Sequence, residues 1–330
     1  MKFGPVPLAD AQGAILAHSI RLGDGRLRKG VVLTQGHLAQ LHSMGLRDVT
    51  VARLDPDDVH EDIAAQTLAQ ALLGDAPHLR LSQPFTGRVN LLADSPGVVL
   101  LDGARITAAN AVDPMITVAT VPPMHQIATG GMAATIKIIA YGVAEAALSR
   151  ACELARASIR LATPLYTSAS LIVSEITDGP GTKGVEAIEN RVTGLGGHLS
   201  EVITVAHEEA ALAQAVAQAK GQIVLILTGS ATSDIGDTAP RALIRAGGQM
   251  VRFGIPVDPG NLLFLGQIGE RPVIGLPGSA RSPVLHGADW VLARVACGVP
   301  ITDADFAAMG VGGLLKEIPT RPQPRRGGRS

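Results

Sequence analysis

The chain has 330 residues, of which 46% are apolar and only 2% aromatic, and its formal net charge is -1. That length accommodates two cores, which with so few rings must be packed from Ala, Val, Leu and Ile, and a charge near zero excludes bulk attraction to nucleic acid or an anionic membrane. Two cysteines, Cys152 and Cys297, without CxxC or metal-ligand spacing, fit a reducing compartment, the cytoplasm. The opening MKFGPVPLAD lacks the charged-then-apolar order of a signal peptide, and Lys137 interrupts the longest apolar stretch well short of a membrane span, so a soluble protein is expected.

Short strand-like pieces at 14–20, 31–33 and 48–54 alternate with turn signals such as Gly23-Asp24-Gly25 and a helical segment near 35–44. Asp58 precedes Glu61 by three residues, a capping-box spacing, and an Ala/Leu helix follows over 63–73. The acidic run Asp55, Asp57, Asp58, Glu61 and Asp62 has two readings, a magnesium site or carboxylates favourably placed at a helix N-terminus. Residues 87–137 read as β-rich, with strands at 88–92, 98–101, 115–121 and 132–139 and a turn at Asp102-Gly103. Asn110, Asp113, His125 and Thr129 punctuate this region as turn or satisfied core residues. A helix is expected over 141–158, and Thr163-Pro164 then breaks the chain.

Beyond that break strand and helix alternate: strand 169–176, helix 185–195, strand 199–205, helix 208–219, strand 223–227, helix 238–246 and strand 250–253. Strand-like 262–267 and 272–276 follow, then a helix over 283–296. Such alternation predicts an α/β fold, a parallel three-layer sheet with right-handed crossovers, preceded by a β-rich α+β region. The expected division is an N-terminal region at 1–165, itself divisible at 75/76, a binding domain at 166–300, and a C-terminal segment at 301–330. The end of that segment, with Arg321, Arg325, Arg326 and Arg329 among Pro and Gly, reads as a disordered basic tail.

Three loops carry the chemistry. Asp178 to Gly184 opens a helix with glycines that let backbone approach a ligand, a helix N-terminus that favours an anion, and Lys183. Gly179, Gly181 and Gly184 also satisfy GxGxxG, with Glu201 near the end of the next strand, so a nicotinamide dinucleotide oxidoreductase is a second reading. The loop after Leu227 offers Thr228, Gly229, Ser230, Thr232, Ser233, Asp234, Asp237 and Thr238. Its hydroxyls and amides suit a heterocycle edge or one phosphate, and its carboxylates suit a pterin's amino groups or a cation. Asp237 also reads as a plain helix cap. The third loop, GLPGSARSP at 275–283, has the same small, polar character. Neither Ser233 nor Ser282 sits in a GxSxG elbow, which argues against a hydrolase.

These loops resemble the molybdopterin-binding domain shared by molybdopterin adenylyltransferases and molybdopterin molybdotransferases. The resemblance rests on Leu227-Thr228-Gly229 after a buried strand, Asp237-Thr238-Ala239-Pro240-Arg241-Ala242 leading into a helix, and Gly275-Leu276-Pro277-Gly278, with Asp178 and its glycines where that domain has its first ligand loop. It covers roughly 169–298; the first half is similar to a molybdotransferase only in outline. Five positions depart from the family pattern: Ser230 replaces a repeated Gly, Ser279 replaces Asn, His207 stands where an Asp ends a strand, with Glu208 directly after it as a substitute, and Asp258 and Asn261 flank Pro259-Gly260 where lysines are usual. Fewer cations imply weaker phosphate binding.

The resemblance implies a protein that binds molybdopterin, a pterin dithiolene with a terminal phosphate, in molybdenum cofactor synthesis or delivery, either as a divergent transferase or as a carrier. It implies ligand contacts at Gly179, Gly181, Thr228, Gly229, Ser230, Thr232, Asp234, Thr238, Pro277, Gly278 and Ser279, and catalytic roles for Asp237 and Asp178 if the protein turns over. It further implies Mg2+ as an optional second ligand, a molybdoenzyme or another cofactor-synthesis protein as partner, and a homodimer. A third reading is a regulatory or assembly module whose pocket has degenerated.

Overall fold

The computed structural model describes residues 1–23 and 25–315; the basic tail expected at the C-terminus lies outside them. Contacts group the chain into two units, the first formed by 1–95, 99–123 and 129–161, the second by 96–98, 124–128 and the residues from 162 onward. The two short inserts of the second unit pair with each other, Gln126 with Val98 and Ile127 with Gly97.

The first unit holds several small antiparallel sheets, two of them with three or four strands. Strand Lys2–Pro7 pairs with Asp48–Arg53, which pairs with Ile15–Leu16. Helix Gln35–Ser43 is capped by Thr34, and Leu8, Leu16, Leu33, Leu41, Val49 and Val51 form the core there. The second sheet runs in the order 116–120, 132–138, 88–93, 79–81. The helix expected from 63 starts at Glu61 with His60 as its cap, because Asp58 belongs to a short strand and its carboxylate receives the amide of Asp55 instead. Asp102 does not make a simple turn: its carboxylate accepts from Arg105 N and caps a helix, Gly103–Asn110. Asn110 is satisfied by both backbone groups of Val118. Residues 142–144, read from sequence as the start of a helix, are a strand paired with Asp58–His60, and the helix begins at Glu145.

The second unit is an α/β layer structure. Its elements are β1 (Ser168–Glu175), α1 (Val185–Thr193), β2 (His198–Ala206), α2 (Glu209–Gln218), β3 (Ile223–Leu227), α3 (Thr238–Arg245), β4 (Gln249–Phe253), β5 (Phe264–Ile268), β6 (Arg271–Leu276), α4 (Gly287–Ala296) and α5 (Asp303–Ala308). The sheet order is β2-β1-β3-β6-β5-β4. β2, β1, β3 and β6 are parallel. β5 runs antiparallel to β6, and β4 antiparallel to β5, so the sheet is mixed at one side. The turn Gly269-Glu270 between β5 and β6 is too short for a crossover and dictates that reversal.

The central strands explain the layering. Leu171, Ile172, Val173 and all five residues of β3 are buried, so apolar side chains leave both faces of the sheet and need cover on both. On one face Ile172, Val224, Ile226 and Val273 pack under Leu212 and Val216 of α2 and Ala239, Ala242 and Leu243 of α3. α1 packs near β2, and α4 against β6. Gly275 of β6 has no alternative, since a Cβ would overlap the ring of Phe264 on the neighbouring strand. Among the described residues no helix is long and apolar enough to cross a membrane.

Candidate functional site

Because β1, β3 and β6 are adjacent and parallel, the segments that leave them, 176–184, 228–237 and 277–283, emerge at one edge of the sheet. That edge gathers Asp178, Gly179 and Gly181 from the first loop, Thr228, Gly229, Ser230, Thr232, Asp234, Asp237 and Thr238 from the second, and Pro277, Gly278 and Ser279 from the third.

Arg281 ties the three loops together. Its Nη1 donates to the carbonyls of Gly181, at 2.9 Å, and of Lys183, and its Nη2 donates to the carbonyl of Thr228 at 3.0 Å. Burial pushes the Arg281 pKa down from its ordinary value. Gly184 permits this approach: it has φ 92, and a Cβ there would lie 2.5 Å from the Cβ of Arg281. No local sequence signal marks Arg281, since its acceptors lie 53 to 100 residues away.

The second loop starts under equal constraint. A Cβ on Gly229 would sit 2.7 Å from the carbonyl oxygen of Ser174, so the turn presses directly onto the end of β1. Its amide donates to Ser174 Oγ at 3.2 Å, and that hydroxyl lies 2.8 Å from Nδ1 of His207 at the end of β2. The hydroxyls of Thr228 and Thr232 turn inward: both residues are buried, Thr228 Oγ1 donates to the carbonyl of Ser230 at 2.5 Å and lies 3.4 Å from Thr232 Oγ1. Asp234 accepts the amide of Gly236 at 2.7 Å in an Asx turn. Asp237 caps α3, accepting Thr238 N at 2.7 Å and Ser233 N at 3.0 Å. Burial pushes the Asp237 carboxyl up, but the two amides and the nearby His207 outweigh it, and its pKa is lowered from the usual aspartate value.

The third loop is held from beneath by Arg191 on α1. Arg191 is buried, and its guanidinium donates to the carbonyls of Ala187, Ala280, Ser282 and Val284 and to Asp289 Oδ1 at 2.7 Å. The other oxygen of Asp289 accepts His286 N at 2.7 Å. The His286 ring accepts Ala288 N on Nδ1 at 3.0 Å, which leaves Nε2 to carry the proton and donate to Ser279 Oγ, 2.8 Å away. The hydroxyl proton of Ser279 is therefore not needed by His286. Sequence reasoning found Ser279 but none of the residues that position it.

Asp178 is exposed, in a turn with φ 58. Gly278 is exposed too, with nothing within 4 Å of where a Cβ would stand. Farther along the same edge, where β4 ends and β5 begins, an open cleft of about 250 Å³ is lined by Pro256, Val257, Asp258, Asn261, Gly310, Gly313 and Leu314.

One chemistry fits poorly. Glu201, the acid that a dinucleotide site would need at the strand tip, pairs with Ser170, five positions before the Glu175–Ala206 pair at the ligand edge. At about 3.3 Å per residue that is about 16 Å away, and the Glu201 carboxylate accepts Ser170 Oγ at 2.5 Å and Lys220 N at 2.7 Å. Among the described residues no group of three or more His, Cys, Asp or Glu side chains assembles to hold a metal, and both oxygens of Asp237 already accept amides.

Comparison with known proteins adds the following. The profile of a domain of unknown function (DUF8806) matches residues 5–53. No curated protein matches. Among solved structures, the molybdopterin biosynthesis MoeA protein of Pyrococcus horikosii is similar at 14% identity over 90% of this chain and 75% of that one, with a TM-score of 0.32. A molybdenum cofactor biosynthesis protein from Pyrococcus furiosus is similar at 14% identity, with a TM-score of 0.23; the match covers 85% of this chain and 59% of the length of that one.

Proposed function

We propose that the second unit binds molybdopterin through the three loops, and that the protein serves molybdenum cofactor synthesis or delivery as a carrier more than as a transferase. The observation that carries this reading is the Arg281 tie, which holds the loops after β1, β3 and β6 as one surface. Loop amides and the α1 N-terminus, which has no side-chain cap, suit the terminal phosphate. Ser279 and Asp234 suit the pterin edge, a fused ring with amino and carbonyl groups.

The carrier reading follows from the charges. Phosphoryl or adenylyl transfer draws its rate from cations placed around the phosphates, and here Arg281 is committed to loop carbonyls and Asp237 to loop amides. A molybdoenzyme or another cofactor-synthesis protein is the proposed partner, and the proposed assembly is a homodimer. Asp237→Ala separates carrier from enzyme. The carrier reading expects weaker molybdopterin binding and no turnover with molybdate or Mg-ATP in either form; turnover in the wild type that vanishes in the variant at unchanged affinity would overturn it.

A further inference from the structure

The first unit carries a basic hairpin. Ile20–Leu22 pairs antiparallel with Gly25–Leu27, in a register that sets Ile20 against Leu27, Arg21 against Arg26 and Leu22 against Gly25. Leu27 is buried, and Ile20 and Leu22 pack on the same core, so the alternate residues Arg21 and Arg26 face outward. Lys29 N donates to Ser19 Oγ at 2.9 Å and closes the base of the hairpin. Arg21, Arg26, Arg28 and Lys29 are all exposed.

The arginine pair is the unusual feature. Residues directly opposite on two antiparallel strands hold their Cβ atoms about 4.5–5.5 Å apart, and like charges in that position destabilise the sheet. Among the described residues no carboxylate forms an ion pair with Arg21, Arg26, Arg28 or Lys29. The segment 20–29 holds these four cations and one acid, Asp24. The imbalance extends around it: residues 1–53 contain seven Lys and Arg against three Asp and no Glu, whereas residues 54–315 contain sixteen against twenty-five Asp and Glu.

We propose that the outer face of this hairpin docks an acidic segment of a partner protein, whose carboxylates lie between Arg21 and Arg26 and beside Arg28 and Lys29. A carboxylate set between two opposed guanidiniums replaces their repulsion with two charge-assisted contacts. Packing of the inner face holds the strands before the partner arrives, so little ordering is left to binding. Nucleic acid suits the surface less well. The two strands carry no aromatic side chain on which a base could stack, and a long polyanion meets a chain that is acidic from 54 to 315. Exposed ion pairs are individually weak, so the contact is salt-sensitive and speeds encounter more than it slows release. The proposal is independent of the pterin reading, and neither falls with the other.

The test is fluorescence anisotropy of a labelled oligoglutamate titrated with the full chain, at low and at physiological salt, beside a single-stranded oligothymidylate of matching charge. The double variant Arg21→Gln/Arg26→Gln is compared with the wild type and with Arg160→Gln, a change at an exposed arginine elsewhere in the first unit. The wild type is expected to bind oligoglutamate at low salt and to weaken as salt is added; the double variant is expected to bind it about tenfold more weakly, and Arg160→Gln as the wild type does. Thermal melts of the free proteins supply a second readout. The double variant should melt at or above the wild-type temperature at low salt, because it loses the repulsion. Absence of oligoglutamate binding, an equal loss in Arg160→Gln, or a lower melting temperature in the double variant would overturn the proposal. Oligothymidylate bound more tightly than oligoglutamate, and lost in the double variant, would assign the hairpin to nucleic acid and overturn it as well.

Discussion

Arg281 Nη2 donates to the carbonyl oxygen of Thr228 at 3.0 Å, and that contact joins the turn after β6 to the turn after β3. The same guanidinium reaches the carbonyl of Gly181 at 2.9 Å, so one side chain sets the spacing of all three loops. Hydrogen bonds to a charged group contribute about 1.5–3 kcal/mol each, net of the bonds to water they replace.

Arg281→Ala is expected to lower the unfolding free energy by about 1–3 kcal/mol and to weaken molybdopterin binding more than stability alone explains. Arg281→Lys should recover little of either, because an ammonium cannot span acceptors in two directions as a guanidinium fork does. Urea denaturation and equilibrium titration of the two variants check this. A Lys variant with wild-type affinity would contradict it.

Two glycines at the same edge should respond differently. Gly184→Ala puts a Cβ 2.5 Å from that of Arg281 at φ 92 and is expected to cost about 1–3 kcal/mol. Gly278→Ala meets nothing within 4 Å and should change stability by less than about 0.5 kcal/mol, while weakening a ligand that touches the loop backbone. Thermal melts and titrations of both proteins separate the two effects.

Arg191→Met should be among the most damaging single changes in the second unit. It leaves Asp289 without its cation and the carbonyls of Ala280, Ser282 and Val284 without a donor, a loss of about 3–5 kcal/mol by the usual cost of breaking a buried pair. Its functional trace runs through Asp289 and His286 to Ser279. Arg191→Met is therefore expected to abolish ligand binding in whatever fraction remains folded, whereas Ser279→Ala, at near-normal stability, should only weaken it.

Asp237 gives a pH signature. Its folded-state pKa is lowered, so the stability it contributes is fully present above the ordinary aspartate value of 3.8 and is lost as pH falls through the lower folded value. Asp237→Asn keeps a capping oxygen but has no carboxyl to titrate. Below about pH 5 its urea midpoint should fall less steeply than that of the wild type. Parallel curves would show that the carboxylate contributes nothing through its charge.

Much of the second unit is legible in the sequence because its signals are local. β3 is five consecutive apolar residues buried on both faces, and α3 carries its own cap, Asp237, immediately before its first turn. The reversal of β5 was not legible, since an apolar strand in an α/β alternation reads the same in either direction and only the short turn before β6 excludes a crossover. Gly142 shows a related difficulty in the first unit. Helical periodicity runs through it, yet Val143 pairs with Val59, and Leu54 crowds the glycine so that no Cβ fits. The candidate loops were found from their glycines and Asp237. Arg191, Arg281, Ser174 and His286, which hold those loops in place, were not, because each acts on partners distant in sequence or looks like an ordinary helix or loop residue.

The central claim is that the turns after β1, β3 and β6 grip one phosphorylated pterin together. It is tested most directly by hydrogen exchange of the full chain with and without saturating molybdopterin. The expected result is simultaneous slowing of the amides in 178–184, 229–237 and 278–282, at micromolar ligand, with the cleft residues 256–261 unchanged. No slowing at any concentration, or slowing confined to a single loop, would contradict the account.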